Sequence, residues 1–172
     1  MTFGQRIGGV LRLDAAVFEE IEANRAVTDQ AVAVIIAASL AQAAWAAAAL
    51  DVIGILHEAL LALVRWGLFA TITYVIGAWI LRDRETRTNP GELLRVMGFA
   101  FAPMCLATLT ALPISVLARP IRLVAELWVL AATVIAVRQA FDYRSTMRAV
   151  IVVLIGWLIF EWILPALLGA SV

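Results

Sequence analysis

The sequence predicts an all-α, polytopic integral membrane protein: five transmembrane helices after an N-terminal interfacial amphipathic helix. Three observations carry that prediction. Hydrophobic residues make up 64% of the 172 positions, and mean hydropathy is +0.97. No ordinary soluble domain of this length has a core large enough to hide so much apolar sequence. The apolar residues also gather into five runs of about 17–23 residues, the length that crosses a hydrocarbon core of about 30 Å. Between the runs lie short charged or Pro-containing connections.

Charge narrows the partners. The 13 basic and 13 acidic residues cancel, so no nucleic-acid partner is expected. Every basic residue is Arg, a bias associated with GC-rich prokaryotic genomes. Cys105 is the only cysteine and His57 the only histidine, which rules out an intrachain disulfide and a Cys-rich metal site.

Residues 1–27 read as a cytoplasmic, interfacial amphipathic segment. Phe3, Ile7, Val10, Leu11, Val17, Phe18 and Ile21 fall near one helical face, with Arg6, Arg12, Glu19, Glu20 and Glu22 elsewhere. Gly8-Gly9 weakens the first part, and Asp14 caps a second helix that ends near Asn24. Such a segment lies on the membrane surface; the alternative is packing on a cytoplasmic loop of the same chain. Acidic residues before a long first apolar run argue against a cleaved signal peptide.

Residues 28–172 form the transmembrane domain. The first span, 31–50, is Ala-rich and carries Trp45 near its far end. Residues 51–58 make a turn that leaves His57 and Glu58 solvated. The second span, 59–81, has a stripe of Gly67, Thr71, Tyr74 and Ala78 for helix packing. Arg65 lies about 7.5 Å inside this span by helical rise, and Trp79 marks the other interface.

After the charged loop 82–88, Asn89, Pro90 and Glu92 read as N-cap, first helical residue and capping-box partner. Gly98 and Ala102 allow close approach of another helix, and Pro103 predicts a kink in the third span, 93–112. The connection 114–120 leads to the fourth span, 121–137, with Arg122 and Glu126 near its start. The polar loop 138–148 leads to the fifth, 149–168, which holds Gly156, Trp157, Glu161, Trp162 and Pro165.

Arginine placement sets the orientation. With the N-terminus inside, the cytoplasmic segments hold Arg6, Arg12, Arg25, Arg82, Arg84, Arg87, Arg95, Arg138, Arg144 and Arg148. The opposite side keeps Arg65, Arg119 and Arg122. This asymmetry predicts a cytoplasmic N-terminus and an external C-terminus.

Arg65, Arg122, Glu126 and Glu161 form a candidate intramembrane polar cluster. Arg122 and Glu126 stand four apart on one helix, which leaves Arg65 and Glu161 as an expected interhelical pair. The cluster reads first as glue between spans, and second as a cavity for a solute, proton or lipid headgroup. Ser39 and Ser115 lack a histidine spaced to activate them, one His beside one carboxylate is too few ligands for a metal, and no phosphate-binding glycine loop occurs. No catalytic, cofactor or metal residues are expected.

Three stretches resemble the Yip1 family in its bacterial five-span branch. They are Phe18-Glu19-Glu20-Ile21-Glu22-Ala23-Asn24 leading to Thr28-Asp29-Gln30-Ala31; Gly91-Glu92-Leu93-Leu94-Arg95 followed by Gly98-Phe99-Ala100-Phe101-Ala102-Pro103; and Trp128 followed by Arg138-Gln139-Ala140-Phe141. The resemblance implies a non-enzymatic protein of the bacterial inner membrane and points to Glu92, Arg95, Gly98, Phe99, Ala102 and Pro103 as its packing and kink motif. Eukaryotic relatives contact small prenylated GTPases. Their Asp-Leu-Tyr-Gly-Pro motif has no counterpart here, which weighs against a GTPase partner. The expected role is a scaffold or adaptor that binds another membrane protein or itself among membrane lipids. The alternatives are a small transporter or channel using Arg65, Glu126 and Glu161, and lipid handling.

Overall fold

The structure, a computed structural model, describes residues 1–43, 51–82, 89–111 and 115–163. Among these every regular element is helical. The chain opens with two short helices, α1 (Phe3–Leu11) and α2 (Ala15–Ala23), joined by a tight corner. Thr2 and Gln5 form a reciprocal capping box at the start of α1, with Thr2 N donating to Gln5 Oε1 at 2.8 Å. At its end Leu13 adopts a left-handed φ of 59°, while Asp14 N donates to Gly9 O and Leu13 N to Val10 O, both at 3.0 Å. Asp14 then caps α2 through Ala16 N, as the sequence predicts.

Asn24 caps a single 3₁₀ turn, Arg25–Val27, that leads into α3 (Thr28–Ala43). The end of the first predicted span, with Trp45, lies outside the described residues. Helix α4 (Val52–Val75) continues as a π-helical turn, Ile76–Ile80. Helix α5 (Pro90–Ala100) carries the predicted capping box: Asn89 N donates to Glu92 Oε2 at 3.0 Å, and Glu92 N to Asn89 Oδ1 at 3.1 Å. The chain changes to a 3₁₀ helix, Ala102–Ala111, at the predicted kink. Pro103 has no N–H to return to the carbonyl of Phe99, and Met104 N reaches Phe101 O instead, at 2.9 Å. Helix α6 (Ser115–Ala140) is the longest, and α7 (Thr146–Leu158) ends in a π turn, Ile159–Ile163.

Among the described residues four stretches are long and apolar enough to cross a membrane: Arg25–Ala43, Val52–Ile80, Pro90–Leu109 and Val116–Ala140. The fifth predicted span begins as α7, and its residues 164–168 lie outside the described set. Two predicted connections need correcting. Asp51 caps α4 through Gly54 N at 2.8 Å, so His57 and Glu58 belong to the helix and not to a loop. Helix α6 likewise starts at Ser115 with Pro120 inside its early turns, where the sequence reading placed a connection.

One buried cluster joins α2, α3, α5, α6 and α7. It holds Phe18, Ile21, Leu93, Phe99, Val137, Phe141 and Val152, and the N-terminal Val10 and Val17 belong to it too. Four large side chains of the predicted interfacial segment, Val10, Val17, Phe18 and Ile21, thus pack into the bundle core, while Phe3 stays exposed. The consequence is visible on α6. Leu117, Leu123, Val124 and Leu127 are exposed in its first half, whereas from Trp128 onward no residue is.

Candidate functional site

The three family-like stretches meet where α1 and α2 lie on the bundle. Arg95, one and a half turns into α5, is buried. Its Nε donates to Ile21 O at 3.4 Å and its Nη2 to Glu22 O. These are carbonyls at the C-terminal end of α2, where the helix dipole is negative and intrahelical donors run out. Arg95 thus satisfies its own buried charge and caps α2 in one arrangement.

Two side chains of α6 also donate to this layer, Trp128 at the end of α1 and Gln139 at the start of α2. Trp128 Nε1 donates to Leu11 O at 3.1 Å, and Gln139 Nε2 to Ala15 O at 3.4 Å. Three side chains from two helices therefore hold the backbone at the ends of α1 and α2. Packing continues below them. A Cβ built on Gly98 would lie 3.1 Å from the side chains of Ala31 and Ile35, so glycine sets the close approach of α5 to α3. Phe99 and Ala102 are buried beside it, and the Phe99 ring meets Phe3 at 6.3 Å.

Charge on this layer is arranged in two opposed ways. Arg6, buried, pairs with Glu20 through Nη2–Oε1 at 2.6 Å and Nε–Oε2 at 2.8 Å, and also reaches Gln30. The hydrogen bond from Arg6, then one from Asn24, holds the Glu20 carboxyl down at about 2. Two residues on, Glu22 is half-buried. Burial, then the charges of Asp142, Glu92 and Glu19, push it up to about 7 against the pull of Arg95.

Sequence reading missed one further clasp. Widening to a π turn leaves Gly77 O and Leu81 O near the end of α4, and Tyr143 Oη donates to Gly77 O at 2.8 Å and Leu81 O at 3.4 Å. The Phe141 and Tyr143 rings stack at 5.3 Å, and a Cβ on Gly77 would sit 2.6 Å from the Phe141 ring. Nothing in the apolar run around Gly77 signals this. The buried arginine at position 95 was the readable cue for the larger site.

The predicted polar cluster is only partly assembled. Arg122 Nε and Glu126 Oε1 pair at 2.7 Å on the surface of α6, with both side chains about half exposed. Arg65 and Glu161 are exposed, and no ion pair joins them among the described residues. With α4 beginning at Val52, Arg65 lies about 20 Å along a 29-residue apolar stretch, near its middle. An exposed charge there costs about 2.5–3.5 kcal/mol on insertion scales. Thr73 is buried, and its Oγ1 lies 3.0 Å from a Cβ built on Gly156.

The folded chain is thus a multi-pass, all-helical membrane protein with a short helical layer clamped to one end of its bundle. A Yip1 domain model matches residues 8–167, and the chain belongs to the Yip1 domain family. Neither a curated protein nor a solved structure matches it.

Proposed function

We propose that this protein is a non-enzymatic Yip1-type scaffold that binds membrane proteins, itself included, in a bacterial inner membrane with its N-terminus in the cytoplasm. The observation that carries the reading is where its small residues point. Ala33 and Ala37, one turn apart, are exposed on α3 beside Val32, Ile36 and Leu40. Gly67 on α4 has nothing within 4 Å of a built Cβ, and Thr71 one turn on is exposed. Small residues facing outward let a further helix approach closely, which is how helices associate where lipid removes the hydrophobic drive. The family is not known as enzymatic, which agrees with this role. Arginine asymmetry between the two ends supports the orientation.

The test is mild affinity isolation of tagged protein from its own membrane, with mass spectrometry of what co-purifies. The reading expects a stoichiometric protein partner, or the untagged chain itself, that is lost from Ala37→Leu or Gly67→Leu protein. Isolation of the chain alone, with a retained solute or lipid, contradicts it and moves weight to transport or lipid handling.

A further inference from the structure

Arg65 and Glu161 are the charges that the fold leaves unexplained. Both are exposed, and neither has a partner among the described residues. They also share a depth. Arg65 lies fifteen residues before Ile80, where the α4 stretch ends, and Glu161 fifteen residues after Thr146, where α7 starts. Each is about 22 Å from the same end of the bundle by helical rise. Contacts between the two elements confirm the level. The rings of Phe69 and Phe160 meet at 6.1 Å, and Gly156 faces Thr73 and Phe69. Those aromatic rings lie between α4 and the π turn that follows α7, and both charges are exposed at that level.

We infer that this α4–α7 face docks a second copy of the chain, in a twofold dimer where Arg65 of each copy pairs with Glu161 of the other. Two physical arguments select that occupant. A twofold axis along the membrane normal keeps every residue at its own depth, so only charges at equal depth can meet across the interface. One face that carries one cation and one anion at one level complements itself, and each pair neutralises both costs at once. A headgroup is a poorer partner, because Arg65 lies near the middle of a stretch longer than the hydrocarbon core is thick. Leu60, Val64 and Leu68 on α4, with Trp157, Leu158 and Trp162 on the α7 side, supply exposed apolar surface around the charges.

The inference rests on the scaffold reading and names its partner. It is tested by energy transfer between donor- and acceptor-tagged full-length chains in liposomes. Wild-type chains are expected to transfer, and Arg65→Glu or Glu161→Arg chains, each alone, to associate at least tenfold more weakly. Mixing the two variants one to one places Glu opposite Arg at both contacts, so association returns to within about twofold of wild type. Should charge reversal block insertion, Arg65→Gln and Glu161→Gln serve, each weakening association at least threefold. Unrescued mixing, or neutral variants that associate as wild type does, overturns the pairing. A wild-type chain that shows no transfer but co-isolates with a different protein overturns this inference and leaves the scaffold reading standing. Absence of both fails the two together.

Discussion

Arg95 Nε, on the first membrane-crossing turns of α5, lies 3.4 Å from the carbonyl oxygen of Ile21 at the far end of α2. That contact joins residues 74 apart in sequence and ties the N-terminal layer to the bundle. It also explains why an arginine sits in an apolar helix. The guanidinium exchanges water for carbonyls that otherwise have no donor, so burial of its charge and capping of α2 are one event.

The α3–α5 contact predicts a graded response at position 98. A Cβ there is 3.1 Å from Ala31 and Ile35, whose side chains could shift by a few tenths of an ångström. Gly98→Ala is expected to cost little and Gly98→Leu about 1–3 kcal/mol, the usual range for overpacking. Thermal unfolding in detergent of the two variants, compared with wild type, reads the difference.

Gly77 has less room. Its built Cβ falls 2.6 Å from the Phe141 ring, which is held between Tyr74 at 6.4 Å and Tyr143 at 5.3 Å. Gly77→Ala alone is expected to destabilise the protein by about 1–3 kcal/mol. In the Phe141→Leu background the same change should cost much less. A double-mutant cycle with no coupling would remove the clasp from the account.

Glu22 and Glu20 predict opposite pH responses in one short helix. The pKa of Glu22 is raised in the folded state, so its favourable contribution is complete below about 4.5 and is lost as pH rises through about 7. The pKa of Glu20 is lowered, so its contribution is complete above about 4.5 and is lost as pH falls towards about 2. The layer should be held more loosely at pH 8 than at pH 5. Glu22→Gln is expected to flatten that difference while Arg6 and Glu20 stay paired throughout. Protease cleavage after Arg12 and Arg25, normalised to an unstructured substrate at each pH, measures it.

Much of the fold was legible because membrane helices announce themselves by length and apolarity. Asn89, Pro90 and Glu92 gave the start of α5, and Asp14 the start of α2, since caps depend on local geometry alone. Pro103 marked the place of an interruption for the same reason, though as a kink and not as the change to a 3₁₀ helix that occurs there. Apart from the Asp51 cap, which is local but stands before the apolar run that hydropathy marks, the missed features depend on contacts distant in sequence. Asp51 competes to cap a helix seven residues earlier than hydropathy places it. The fate of the N-terminal stripe depended on which surface was available, and periodicity reads the same for lipid and for a bundle. Tyr143 and Gly77 are joined across 66 positions, which no local pattern encodes. At the candidate site the sequence named Arg95 and Gly98 but not the α2 carbonyls and α3 side chains that they serve. Of the polar cluster, the neighbouring pair Arg122–Glu126 forms as expected, because its geometry is local to one helix.

The most direct test of the clamp is hydrogen exchange of the backbone amides of α2 in full-length protein held in lipid nanodiscs, wild type against Arg95→Leu. Removing the guanidinium leaves the α2 carbonyls unpaired, at a cost of about 1–3 kcal/mol. Exchange across Ala15–Ala23 should therefore speed up by about fivefold or more while α4 keeps its protection. Equal protection of α2 in both proteins would contradict the account.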